Sequence, residues 1–286
     1  MSGCFGCIMS FLELSGDLLP IFDAIDFRRS PLNDEKELAA VDIGILEGAV
    51  STDEDIHLAR LYREKSKVLV ALGTCPTYGG IGGLRNLGDA AAMTRQVYVD
   101  GMSTVEGRVP MGEDLPSLLP KVVTLADVVP VDAFIPGCPP PRDLIRTTLL
   151  GLLGQGEIPA RTKNLCIDCP RTKEGILTPQ RGFLSERVNA VMELDRIDPD
   201  RCLIEQGVLC LGPVTVTGCG ARCPKVNIPC RGCLGPTGRL HDQGAKMIDA
   251  LATLLPAGAL MFMEDVIGAG YRYSLPYSET VKKERL

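Results

Sequence analysis

Lys67-Val68-Leu69-Val70-Ala71-Leu72-Gly73-Thr74-Cys75-Pro76 is the stretch that decides the fold. A short apolar run with β-branched residues, stopped by glycine, suits a strand buried on both faces, as in a parallel sheet. Working outward, Val41-Asp42-Ile43-Gly44-Ile45-Leu46 and Val131-Asp132-Ala133-Phe134-Ile135 have the same texture. Helical patterns lie between these runs. Ser51 with Glu54 three residues on predicts a capping box, and the helix it opens extends to about Lys65, with basic residues near its end. A second helical stretch covers about Asp89 to Gln96, and residues 100–120, rich in Gly and Pro, predict a surface excursion. Pro141 can open a further helix whose apolar face includes Leu144, Ile145, Leu149 and Leu152. This alternation predicts an α/β domain, a parallel sheet with helices on both faces.

After Gly156 the texture changes. Eight cysteines and many Pro and Gly fall between residues 160 and 240, with a helix predicted near Ser185 to Leu194. Such a segment builds little core and needs cross-links or metals to fold. A last amphipathic helix is expected from about Asp242 to Leu255. Two domains follow: 1–155, with the parallel sheet, and 156–286, Cys-rich with little regular structure.

The 286 residues carry a net charge of −6, which argues against a nucleic-acid partner, since phosphates call for basic surface. No apolar run reaches the ~18 residues of a membrane span. Met1-Ser2-Gly3-Cys4 has neither a charged n-region nor an apolar h-region, and Arg28-Arg29 precedes a polar stretch inside the chain, so no export signal is read and a cytoplasmic location is expected. Disulfides are rare in that reducing compartment, so the 12 cysteines point to metal ligation or redox chemistry. The two histidines, His57 and His241, are too far apart for a Cys2His2 zinc pattern.

Glu47, Cys75 and Cys138 each follow the end of a predicted strand. Ligands of open α/β sheets bind outside the carboxyl ends of the strands, so these three positions should converge. Cys4 and Cys7 form a C-x2-C pair that opens an apolar helical run from Ile8 to Leu19. Two thiolates so spaced can grip one cluster from a single turn, and four converging cysteines complete a 4Fe–4S shell. Cys75 and Cys138 are each followed by Pro, which stiffens the loop around a cofactor. Taken singly, a C-x2-C pair also suits zinc, and an isolated buried cysteine is usually a small apolar residue.

Cys4-Phe5-Gly6-Cys7 running into Ser10-Phe11-Leu12-Glu13-Leu14, then Glu47-Gly48, Gly73-Thr74-Cys75 and Pro136-Gly137-Cys138-Pro139-Pro140, resembles the small subunit of nickel–iron hydrogenases over residues 1–155. The resemblance implies a flavodoxin-like domain with a proximal cluster on Cys4, Cys7, Cys75 and Cys138. It also implies that Glu13 and Glu47 lie near the catalytic large subunit, as second-shell or proton-relay groups, with the interface around residues 3–14 and 47–50. A structural role for Glu47 is the plain alternative. The related quinone-reductase subunit of respiratory complex I has adjacent cysteines in place of this C-x2-C. The family pattern also has a strand before the C-x2-C, whereas this chain opens almost at the motif. Either that strand lies upstream or a partner covers its place.

Cys166, Cys169, Cys202, Cys210, Cys219, Cys223, Cys230 and Cys233 remain, the number that two further 4Fe–4S clusters require. Cys219-x3-Cys223-Pro224 matches the end of a bacterial ferredoxin run, and that analogy joins Cys202, Cys210 and Cys219 on one cluster, with Cys223 on the other. Two Cys4 zinc sites in a non-redox assembly subunit are the competing reading. The run Cys202 to Cys210, then Gly218-Cys219-Gly-Ala-Arg-Cys223-Pro and Pro229-Cys230-Arg-Gly-Cys233-Leu-Gly-Pro236, is similar to the soluble multimeric hydrogenases. It is most similar to the methyl-viologen-reducing, deazaflavin-non-reducing type that feeds heterodisulfide reductase, with the NADP-reducing sulfhydrogenase type close behind. That resemblance implies three 4Fe–4S clusters, a nickel–iron large subunit as partner, and a flavoprotein, ferredoxin-type or heterodisulfide reductase acceptor. Gly79-Gly80-Ile81-Gly82-Gly83 does not fit a dinucleotide fingerprint and reads as a tight loop that lets a partner or cluster approach closely.

Overall fold

The computed structural model describes residues 1–31, 33–35, 37–158, 160–174, 197–238, 242–254, 263 and 265–279. The helix expected near Ser185 to Leu194, and His241, lie outside these. Two compact units divide the chain, the first formed by Met1–Arg142 together with Leu275–Tyr277 and the second built mainly from Asp143–Ser274. The division falls earlier than the expected boundary at 155. The helix after Pro141 belongs with the second unit, where Gly218 lies beside Leu144 and Arg222 pairs with Asp143 at 3.6 Å. No helix among the described residues is long and apolar enough to cross a membrane.

The first unit contains strands β1 (Val41–Glu47), β2 (Val50–Thr52), β3 (Ser66–Leu72), β4 (Leu118–Val123) and β5 (Ala133–Ile135). The three strands expected from the sequence, β1, β3 and β5, form one parallel sheet with β3 in the centre. Leu69, Val70 and Ala71 are wholly buried there, the reason β3 reads as an unbroken apolar run. Glu47 lies opposite Leu72, and Leu72 opposite Ile135, so all three strands end at one level. That register delivers the chain after each strand to the same edge.

Helices α1 (Gly6–Leu12), α2 (Leu18–Ala24), α3 (Asp53–Lys65), α4 (Thr74–Tyr78) and α5 (Ala90–Tyr98) complete the unit. The capping box of α3 uses Thr52 and Asp55, one residue later than the Ser51–Glu54 pair expected from sequence. β2 keeps the chain extended through Thr52, which pairs with Leu118 of β4, so the helix opens only after that residue. Asp55 is buried and also accepts from Ser2 Oγ at 2.6 Å and Ser51 N at 2.9 Å, tying the N-terminal segment to the helix start. β4 closes the expected excursion of residues 100–120. Buried Asn86 pairs with its backbone, donating to Val122 O at 2.8 Å and accepting from Val122 N at 2.7 Å.

Among its described residues the second unit has little regular structure, as expected: α6 (Arg142–Leu152, nearly all within it), α7 (Arg222–Lys225), α8 (Gln243–Leu254) and α9 (Val266–Tyr271), with short turns besides. Its core combines Leu165, Ile204, Leu211, Val214, Met247 and Leu251 with Cys230, and Cys169, Cys202, Cys210 and Cys219 pack against it. Gln243, almost fully buried on α8, donates to Thr215 Oγ1 and Gly232 O, which secures that helix to the cysteine loops.

Truncating Leu69 to Ala should destabilise the first unit by about 2–5 kcal/mol, whereas Thr52→Ala should cost about 1 kcal/mol. Thermal unfolding of the two variants side by side checks both the sizes and their order.

Candidate functional site

At the carboxyl edge of the sheet the chain after β3 turns at Gly73, whose φ of +98° favours glycine. A Cβ on Gly73 would come within 2.4 Å of Cys7 Sγ. Thr74 then locks two strand ends together: its N–H donates to Gly137 O at 2.9 Å, and its hydroxyl accepts from Gly137 N at 2.8 Å. Cys75 sits in the first turn of α4, directly after this lock, and Cys138 directly follows Gly137, with a cis peptide to Pro139. Ser10 Oγ donates to Pro140 O, drawing α1 against the Cys138 loop. Cys4 lies before α1 and Cys7 in its first turn.

The glycine-rich stretch has a use that its spacing alone left open. Gly80 leaves room for Cys75, because a Cβ there would lie 2.5 Å from that Sγ. Gly79 and Gly83 leave room for Pro276, and Tyr78 stacks edge-on with Tyr277 at 5.0 Å. The close approach expected of this loop is thus made in part by the chain's own residues 275–277.

The four thiols and Glu47 form one electrostatic group. Burial pushes the Cys7 thiol up most, and Glu47 adds to it by its charge and by accepting a hydrogen bond from that thiol. Cys75 is pushed up to about 11 by burial first, then by Cys138, Cys4 and Glu47. Cys138 is raised by burial and then by Cys4. No basic side chain is among the causes, so thiolates here need a positive group to stabilise them. A cluster of thiolate-avid metal atoms fits that demand. Among the described residues no three His, Cys, Asp or Glu side chains close on a single-ion site. Glu13 is exposed at the C-cap of α1, whereas Glu47 accepts a hydrogen bond from the Cys7 thiol.

In the second unit the cysteine thiols also act on one another. Cys166 is raised by burial, with Cys202 and Cys169 adding to it and Lys173 opposing. Cys210 is pushed up to about 11 by burial, with Cys166 and Cys202 contributing. Gly212 lies beside both Cys166 and Cys210, 3.3 Å and 3.6 Å from a Cβ position to the two Sγ atoms. Backbone bonds explain this set: Cys202 N donates to Thr172 O at 2.8 Å, and Leu165 N to Thr215 O at 2.8 Å. Cys223 is raised by burial and then by the charge of Cys219, with Arg231 opposing, and Cys230 is raised by burial, then by Cys210 and least by Cys233. Cys230 N donates to Cys210 Sγ at 3.3 Å, which brings these two cysteines side by side. The ferredoxin analogy, which joined Cys202 and Cys210, left the place of Cys166 and Cys169 open. Cys202 and Cys210 lie with Cys166 and Cys169, because the chain at Thr172 returns to pair with residues 200–202.

Comparison with known proteins agrees with this geometry. The family described as NADH ubiquinone oxidoreductase, 20 Kd subunit, matches residues 4–152. A subunit of the F420-non-reducing hydrogenase of Methanothermobacter marburgensis is 39% identical, over 96% of this chain and 92% of its own length. A chain of an NAD+-reducing nickel–iron hydrogenase, solved in its H2-reduced state, superposes with a TM-score of 0.54 at 37% identity, over 56% of this chain and 90% of that one. The chain belongs to the small-subunit family of nickel–iron hydrogenases. The iron-sulfur subunit of the F420-non-reducing hydrogenase of Archaeoglobus profundus is 32% identical over 99% of this chain and 96% of its own length. As a hydrogenase small subunit, this protein is the electron-transfer component of an oxidoreductase.

Sequence reasoning found the cysteines of this hydrogenase subunit but passed over Thr74, Ser10 and Gln243, whose roles rest on distant partners: Gly137 and Pro140 for the first two, and the Thr215 and Gly232 loops for the third. Gly73→Ala is expected to displace Cys7 and deprive the first unit of its metal. Metal analysis should show the loss, while far-ultraviolet circular dichroism stays unchanged.

Proposed function

We propose that this hydrogenase small subunit relays electrons from the nickel–iron centre of a large-subunit partner, in a cytoplasmic complex, through three 4Fe–4S clusters to a partner reductase of the heterodisulfide reductase or flavoprotein kind. The observation that carries the reading is the convergence of Cys4, Cys7, Cys75 and Cys138 at one sheet edge in a chain of this family. These four hold the proximal cluster. Cys166, Cys169, Cys202 and Cys210 hold a second, supported by the charges that Cys202 and Cys169 exert on Cys166 and that Cys166 and Cys202 exert on Cys210, and the remaining Cys219, Cys223, Cys230 and Cys233 hold a third.

When bound, the clusters supply one-electron redox couples whose potentials follow hydrogen bonding, charge and burial. The chain's residues hold and shield them. Gly73 and Gly80 keep the space at Cys7 and Cys75 free of side chains. Glu47 orients Cys7 and places a carboxylate at the sheet edge, where a proton could be held close to the large subunit. Cys230 N donates toward Cys210 sulfur, the kind of bond that favours the reduced state. The likeness to hydrogenase subunits named F420-non-reducing, and to one named iron-sulfur, supports both the acceptor class and the cofactor.

Metal and sulfide analysis of the anaerobically isolated complex is expected to give about twelve iron and twelve sulfide on this chain, three cubanes' worth. Stoichiometric zinc with little sulfide would overturn the redox role. Cys75→Ser should remove the proximal cluster and abolish hydrogen-dependent dye reduction; retained activity would refute that ligand.

A further inference from the structure

Thr215 is almost fully buried, and the electron relay as described gives its hydroxyl no task. Its oxygen has three polar neighbours. It accepts from Gln243 Nε2 at 3.3 Å, donates to Leu211 O at 2.6 Å, and forms a hydrogen bond with the Cys230 sulfur. Gln243 is equally buried, and its amide is oriented from both sides: Oε1 accepts from Ser274 Oγ at 3.1 Å, and Nε2 also donates to Gly232 O at 3.2 Å. The direction of this buried chain is thereby fixed. Ser274 donates to Gln243, Gln243 donates to Thr215, and Thr215 has its single hydroxyl proton to give onward.

Two acceptors compete for that proton. Leu211 O already accepts from Val214 N at 3.1 Å, so it keeps a partner when the hydroxyl turns away. Fastening the loops does not call for the hydroxyl either. Leu211 N donates to Cys230 O at 2.9 Å, and Gln243 reaches Gly232 directly. The other acceptor is the sulfur of Cys230, a residue 5% exposed and so cut off from water. There a bond to an anionic acceptor is stronger than one to a neutral carbonyl.

We propose that the Thr215 hydroxyl is a redox-responsive donor to the Cys230 sulfur and raises the reduction potential of the cluster that Cys230 holds; this rests on the three-cluster reading above. Reduction adds one electron, drawn from hydrogen oxidation in the large subunit, and leaves more negative charge on the sulfurs. The proton stays on its oxygen and turns from Leu211 O towards the sulfur, so no covalent bond breaks. A donor that bonds the reduced form more strongly stabilises it more than the oxidised form. Gln243 holds the oxygen in place while the proton turns.

The test compares Thr215→Val and Thr215→Ser in the intact hydrogenase complex, by redox titration followed by electron paramagnetic resonance, with iron and sulfide counted in each. Valine removes the hydroxyl at nearly constant size, whereas serine keeps it. With iron retained, Thr215→Val should lower the reduced fraction of one cluster of this chain about tenfold at fixed potential, ~59 mV for one electron. Thr215→Ser should stay close to wild type. Should Thr215→Val lose iron, Thr215→Ala takes its place in the comparison, and loss of iron there too would reduce Thr215 to a structural brace. An unshifted variant without the hydroxyl, or an equal shift in Thr215→Ser, overturns the proposal. A wild-type complex whose iron and sulfide fall short of three clusters on this chain overturns instead the reading beneath it.

Discussion

Thiols gathered in a buried space resist ionisation, and every cysteine group in this protein answers to that constraint. Cys7, Cys75 and Cys138 are raised first by burial; Glu47 and then Cys75 add to it at Cys7, Cys138, Cys4 and Glu47 at Cys75, and Cys4 at Cys138. In the second unit burial again dominates at Cys166, Cys210, Cys223 and Cys230. Such groups hold thiolates only against strong positive charge, which is why metal atoms in number, rather than a basic residue, suit them. The same constraint makes the backbone around each group stiff, since thiols that repel must be held.

The two units meet that need by different means. In the first, parallel strands end in register, and the chain beyond each end is fastened to its neighbour through Thr74, Gly137 and the Ser10–Pro140 bond. Glycine occupies positions 73 and 80, where a Cβ would collide with sulfur. The second unit has no such sheet among its described residues. Its cysteines are part of the core itself, and single backbone bonds, such as Cys202 N to Thr172 O and Leu211 N to Cys230 O, bring distant loops together. A segment built this way depends on its metal for stability more than the sheet does.

Particular residues show where sequence reading works. β1, β3 and β5 were legible because burial on both faces leaves an apolar run that few other structures produce. Cys75 and Cys138 were legible as site residues because they follow those runs directly. The cap of α3 was misplaced by one residue, since β2 is three residues long and its pairing with β4 is long-range. β4 itself was hidden in a stretch rich in turn-formers, its register held by Asn86 rather than by an apolar pattern.

The sequence by itself determined the fold class, the family and the twelve cysteines, because strand periodicity, ligand chemistry and C-x2-C spacing are local properties carried by short runs of residues. Only the tertiary structure decided that Cys166, Cys202 and Cys210 stand together, that Glu47 touches the Cys7 thiol, that Gly79 and Gly83 receive Pro276, and that Arg171 is buried among neutral acceptors. Each of these depends on segments far apart in the chain. Their meeting is set by hydrogen bonds and packing between loops, which leave no periodic trace in the order of the residues.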